Sequence, residues 1–312
     1  MEEYIEQQSE AHNTETCVKR YFAHLHYADL NPVSPSDYYE TLKDWTEPQK
    51  FKTPRKNQAN KAAGISVGLR IKSLWNPEAN KELSDKKEKS SAIYAKNLEA
   101  EKESYNRYVE DFYDRRGKQH GEVNRLHDAM RDGNIDEIVS YFKYALYQDR
   151  YSVDFLHDYK IQVRDLAFED VEKKKLKFSY KIPESDEILT FSRFTYHPET
   201  DKILPEPIDE EYQYVQKMSI LKHMLLRTVA MIYRSDLYNF VYDIQITGYL
   251  QYYDDSYGHE RRKNVIRFHF NKEEFRDTNL EMVNVKALFD ERIKPDVSSG
   301  LYKKNPKELK EV

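Results

Sequence analysis

The sequence predicts an α+β protein in which a long charged helix, a possible coiled-coil stalk, precedes a compact domain. A mostly antiparallel sheet packs on a second long helix in that domain. Three observations predict this. Met218, Leu221, Leu225, Val229 and Ile232 recur at three- and four-residue steps, and Leu226 and Ala230 widen the stripe to that of a buried helix. The period then switches to two: Phe240, Tyr242, Ile244 and Ile246 alternate with Asp243, Gln245 and Thr247, as in a strand with one wet face. Finally, after Pro77 and up to Asp132 there is no proline, the only glycines are Gly117 and Gly121, and Lys, Glu, Ser, Asn and Gln dominate.

Bulk composition bounds the function classes. Of 312 residues, 34% are charged and 39% apolar, which fits a core in part of the chain and a solvated remainder. A formal charge of −5 gives no global attraction to nucleic acid, so such binding needs a local basic patch. Cys17 is the single cysteine, which excludes an intramolecular disulfide and a cysteine-rich zinc site. The acidic, polar Met1–Asn13 is unlike a signal peptide, and the most apolar run, Met218–Tyr233, is broken by Lys222, His223 and Arg227. A cytoplasmic protein without a membrane partner is expected. The 26 tyrosines read as the codon signature of an AT-rich genome.

The elements follow in order. Residues 1–16 are expected to fray, and 17–30 to form a short helix with Val18, Tyr21, Phe22 and Leu25 on one side, stopped at Asn31-Pro32. A second helix spans Pro35–Leu42, capped by Ser34 or Ser36, and Thr46–Pro54 is extended. Residues 50–89 hold 11 Lys or Arg against 4 Asp or Glu, a local excess of 11 − 4 = 7. Trp75-Asn76-Pro77 opens the long helix. Leu98, Tyr105 and Phe112 stand seven apart with Val109 between them, a sparse heptad seam. The segment is either one helix or a helical hairpin broken near Gly117–Gly121. Asp132-Gly133-Asn134 ends it and starts a helix at Ile135–Gln148, with Ile138, Val139, Phe142, Tyr144, Ala145 and Leu146 as core candidates.

Strands come next. Tyr159, Ile161 and Val163 alternate, as do Leu176, Phe178, Tyr180 and Ile182, and the charged Asp165–Lys174 reads as the turn of that hairpin. Leu189–Tyr196 is a third strand with its turn at His197–Asp201. The apolar helix is capped by Asp209. Asp254–Gly258 is a hairpin turn, and Asn264–Phe270 returns with Ile266, Phe268 and Phe270 inward. Lys272–Phe275 and Val285–Phe289 are short helices. The expected division is 1–76, 77–131, 132–292 and a polar tail over 293–312.

The order of these segments resembles a family. Leu226-Arg227-Thr228-Val229-Ala230-Met231-Ile232-Tyr233 resembles the Leu-Arg-Thr helix of bacterial Mrr-type restriction-endonuclease-like proteins, in the region ahead of their nuclease domain. Asp243–Tyr249 is similar to their next strand, Glu274–Asn284 to their Glu-Phe segment, Ala287-Leu288-Phe289 to the segment after it, and Glu122–Phe142 to the helix before their first strands. The resemblance implies membership of a restriction or antiphage system. It carries no catalytic centre across, because the Asp and Glu-x-Lys of that nuclease would lie beyond Val312.

A nuclease of that type would need carboxylates and a lysine converging on Mg²⁺. Glu172-Lys173-Lys174 after Asp165 and Asp170 falls in a polar turn, and Asp243-Ile244-Gln245 lacks the following lysine. His24 and His26 lack a third metal ligand, Gly64-Ile65-Ser66-Val67-Gly68 lacks the lysine of a phosphate loop, and no Gly-x-Ser-x-Gly occurs. No catalytic residue, metal site or cofactor is assigned. Two basic clusters are the candidate nucleic-acid contacts: Arg55, Lys56, Lys61, Arg70 and Lys72, and Arg261, Arg262, Lys263 and Arg267. The expected function is an accessory or recognition module of a restriction or antiphage system, binding DNA, a partner nuclease or another defence subunit. The alternative is a diverged Mg²⁺-dependent nuclease. A homodimer through the 77–130 helix is a third expectation.

Overall fold

The computed structural model describes residues 2–27, 30–149, 151, 159 and 161–312. The chain divides into two compact units, residues 1–40 with 126–312, and residues 41–125. The second half of the chain thus shares its unit with the N-terminal 40 residues, which the expected division set apart.

The larger unit is built on helix α7 (Glu210–Ser235), and all of Leu221, Leu225, Val229 and Ile232 are buried in it. Asp209 caps it by accepting from the Tyr212 N–H. The sheet beside it has the order β1 (Val163–Asp170), β2 (Lys175–Lys181), β5 (Asp243–Asp254), β6 (His259–Asn271), β7 (Asp296–Val297). All neighbours are antiparallel except β2 and β5, which run parallel because α7 carries the chain back across the sheet. Leu176, Phe178 and Tyr180 on β2 register with Ile244, Ile246 and Gly248 on β5, and those with Phe270, Phe268 and Ile266 on β6. These form the apolar face. Lys175, Lys177 and Ser179 lie opposite Asp243, Gln245 and Thr247 on the polar one. The Asp254–Gly258 turn falls where expected, with Gly258 at φ +69°.

Several expectations are corrected. Residues 2–16 do not fray: α1 (Glu2–His24) includes them, because Ala11 and Val18 are buried against the unit, and residue 1 lies outside the described residues. The helix ends at His24, and residues 28 and 29 of its expected extent lie outside the described residues. β1 begins at Val163, so Asp165–Asp170 is strand and only 171–174 turn. As an edge strand, β1 tolerates exposed charge on both faces, which disguises it as a turn. Tyr159 and Ile161 precede the strand, and residue 160 is outside the described set. The expected strand at Leu189–Tyr196 shortens to β3 (Phe194–His197), paired with β4 (Lys202–Pro205) in a separate two-stranded sheet. β5 starts at Asp243: Tyr242 is exposed and Val241 buried, so the alternation breaks before the strand. The polar tail is docked. β7 pairs with β6, and Leu301 and Leu309 are buried.

Helices α2 (Pro35–Leu42), α6 (Ile135–Gln148) and α8 (Lys272–Asp277) match expectation. Ser34 is the cap of α2, accepting from the Asp37 N–H at 3.0 Å. In α6, Tyr141 is buried where Val139 and Tyr144 are only half-buried. Helix α9 (Val285–Ala287) continues into a π-helical turn, Leu288–Ile293.

In the smaller unit, α5 (Pro77–Arg131) contributes its residues up to 125, and the helix is unbroken through Gly117 and Gly121. The hairpin alternative is therefore corrected. No neighbour packs within 4 Å of a Cβ placed at either glycine, so nothing there bends the helix. The segment before it, with α3 (Lys56–Ala62), runs along α5, and α4 (Val67–Lys72) follows α3. Gln119 donates to the Leu42 carbonyl at 2.6 Å, Arg116 to that of Thr46 at 3.1 Å, and the Tyr108 hydroxyl accepts from the Gln49 N–H at 3.2 Å. Phe51 meets Tyr105, and Ser90 donates to Asn60 at 2.9 Å. The heptad seam is thus lined by the chain's own extended segment.

Candidate nucleic-acid interface

The two basic clusters fall in different units. Residues 259–267 hold four Arg or Lys against one Glu. They lie on β6, paired to β5 through Tyr252↔Arg261, Gln251↔Arg262 and Leu250↔Lys263. Three of the four cations rest on a tyrosine: Arg261 on Tyr257 at 3.9 Å, Arg262 on Tyr249 at 5.5 Å and Lys263 on Tyr252 at 5.8 Å. Strand alternation places Arg261 and Lys263 on one side of the ribbon and Arg262 on the other. Tyr253 and Tyr257 remain 58% and 63% exposed at the hairpin end. Arginine stacked beside open aromatic rings presents both charge and π-faces to a strand of bases.

The tail completes this surface. Lys263 Nζ donates to the Lys307 carbonyl at 2.7 Å, and Lys307 pairs with Asp255 at 2.9 Å. Asp254 lies 3.8 Å from Arg261, which restrains that guanidinium without burying it. Arg267 stands apart on the polar sheet face and donates to the Val312 carbonyl at 3.0 Å. Beside it a cavity of about 420 Å³ is lined by Lys175, Gln245, His269, Lys294 and Asp296. Sequence reasoning singles out Arg261, Arg262, Lys263 and Arg267 but misses Tyr249, Tyr252, Tyr253, Tyr257 and Lys307. The clustering of tyrosines around the turn is the signal that marks them, and a tyrosine-rich composition masks it.

In the smaller unit, Arg55, Lys56, Lys61, Arg70 and Lys72 are all exposed, and Lys56 sits over Tyr94 at 5.7 Å. Arg70 and Lys72 are on α4, Lys56 and Lys61 on α3, and Arg55 precedes α3. What α4 presents beside Arg70 and Lys72 is apolar. Val67, Ile71 and Leu74 are exposed, and Trp75 is 79% exposed.

The acidic residues of the nuclease alternative are dispersed. Glu172 is in the β1–β2 turn. Asp170 pairs with Lys173 at 3.1 Å, which holds its carboxyl below the usual range through the Lys173 N–H and ammonium. Asp165 accepts from Ser179 at 3.3 Å, and Asp243 lies 3.3 Å from His269. His24 and His26 turn to different partners, Tyr27 and His223, each through Nδ1 at 2.9 and 2.8 Å. Among the described residues no three His, Cys, Asp or Glu side chains are grouped to hold a metal. No described helix is long and apolar enough to cross a membrane.

Comparison with protein-family models, with curated proteins and with solved structures found no match to this chain.

Proposed function

We propose that this protein is an accessory recognition module that binds DNA through the β5–β6 hairpin and leaves cutting to a partner nuclease. The observation that carries the reading is the alternation of Arg261, Arg262 and Lys263 with Tyr249, Tyr252 and Tyr257, each cation seated on a ring. The open rings of Tyr253 and Tyr257 favour single-stranded DNA, whose bases are free to stack. Assignment to a restriction or antiphage system rests on the ordered sequence resemblance described above.

The test is binding of labelled single- and double-stranded oligonucleotides at about 50 and 200 mM salt. The expected result is single-strand binding that weakens with salt and is lost in Arg261→Ala/Arg262→Ala and in Tyr253→Ala/Tyr257→Ala. No binding at the lower salt ends the reading. Plasmid cleavage with Mg²⁺ or Mn²⁺ that vanishes in Asp243→Asn would replace it with the nuclease alternative.

A second reading, docking of a partner protein, is favoured by the exposed Val67, Ile71, Leu74 and Trp75 beside Arg70 and Lys72. Trp75→Ala would then abolish co-purification with the partner nuclease and leave oligonucleotide binding intact.

A further inference from the structure

Lys217 projects from α7 and is 7% exposed, yet among the described residues no carboxylate lies within ion-pairing distance of it. Its Nζ instead sits 2.7 Å from the hydroxyl of Ser185. Burial holds the ammonium below the usual lysine range, against the opposing charge of Asp186. Ser185 itself is exposed. The pair therefore consists of a buried lysine nitrogen and an accessible hydroxyl in direct contact.

The surroundings suit a reacting carbonyl. Both side chains line a cavity of about 550 Å³ with Tyr214, Tyr302, Glu210 and Lys303. Ser185 occupies the second position of a β-turn closed by the Glu187 N–H on the Glu184 carbonyl at 3.2 Å. In such a turn the two central N–H groups are left over. Neither the Ser185 nor the Asp186 N–H has an acceptor among the described residues. Free N–H groups at and just after a nucleophile are the donors an oxyanion needs.

We propose that Ser185 and Lys217 form an acyl-transfer dyad acting on small carboxylic esters, an activity separate from DNA binding. Once deprotonated, Lys217 takes the Ser185 hydroxyl proton while Oγ bonds to the ester carbonyl carbon. The tetrahedral adduct collapses, the carbon–alkoxy bond breaks, and the alcohol leaves with the proton held by Lys217. Water then attacks the acyl-serine and gives its proton to Lys217, which returns it to Oγ as the acid departs. The balance is ester plus water to acid plus alcohol.

The test uses the full chain without DNA, a fluorophosphonate probe and p-nitrophenyl acetate. One fluorophosphonate adduct per chain, mapped to Ser185 by mass spectrometry and absent in Ser185→Ala, is the expected result. Lys217→Met should slow labelling about 100-fold or more, and added methylamine should restore part of the rate in Lys217→Ala, which a merely structural lysine would not allow. Ser185 is on an exposed turn, so Ser185→Ala keeps the wild-type melting temperature and decides the matter even where the lysine variants misfold. No labelling of the wild-type protein, or labelling and esterase turnover unchanged in Ser185→Ala, overturns the proposal and leaves the DNA reading untouched.

Discussion

The guanidinium of Arg227 forks onto the carboxylate of Asp149, with Nε 2.9 and 3.0 Å from the two oxygens and Nη2 2.7 Å from one of them. Arg227 is 1% exposed, and its Nη1 donates to the Leu25 carbonyl at 3.0 Å. One side chain thereby ties α7 to the end of α6 and to the turn after α1. Removing one member leaves a buried charge without its counter-ion, which costs far more than the pair itself contributes. Asp149→Ala is expected to destabilise the protein by about 3–5 kcal/mol, measured as a shift in urea midpoint. An Arg227→Met/Asp149→Leu double variant should recover much of that loss, and simple additivity of the two single effects would refute the coupling.

Gly248 marks a second constraint. A Cβ there would stand 2.3 Å from Ile266 Cγ2 and 2.9 Å from Ile182 Cγ2, both inside the core. The β5–β6 register also shifts between Gly248 and Tyr249, so the strand is bulged at this position. Gly248→Ala is expected to lower stability by about 1–3 kcal/mol through overpacking. A melting temperature equal to wild type would show that the two isoleucines move aside freely.

The buried His26 and half-buried His223 make stability depend on pH. His26 Nε2 lies 2.6 Å from the Leu280 carbonyl and so carries the proton, which leaves its Nδ1 to accept from His223 Nδ1 at 2.8 Å. Burial, then the neighbouring His26 and His24, push His223 down to about 3. Burial also lowers His26, with His24 and Arg227 adding to the effect. An unfolded imidazole titrates near 6.5. Between these limits the unfolded chain binds more protons than the folded one, so stability is full above about pH 6.5 and is lost as pH falls toward 3. Urea unfolding at pH 7 and pH 5 should show a lower midpoint at pH 5, and His223→Gln should flatten that difference. A wild-type midpoint unchanged between the two would refute the buried neutral pair.

For the DNA reading, removing a cation that meets a phosphate should reduce the salt dependence of binding. Arg262→Ala is expected to lower the slope of log affinity against log salt by about one, whereas Tyr257→Phe should leave the slope unchanged because stacking releases no counter-ions. A slope unaffected by Arg262→Ala would place the phosphate at another side chain.

The organising helix was legible because its apolar stripe needs only local spacing. The Asp209 cap, α6 and the β5–β6 turn were legible for the same reason. β1 was not, because an edge strand wet on both faces carries no period-two signal and reads as a charged turn. The first half of α1 was not, because its acidic surface hides that Ala11 is buried by distant segments.

Local periodicity by itself determined α7, α6 and the β5–β6 hairpin and hence the α+β class, since each of those patterns is satisfied within a few residues. The pairings that carry chemistry lay beyond it. Arg227 with Asp149, His26 with His223 and Lys217 with Ser185 are separated by 78, 197 and 32 residues. Only the packing of α7 against its neighbours brings those side chains to within 3 Å, and burial of Arg227, His26 and Lys217 leaves each of these three little water to bond with in place of its partner.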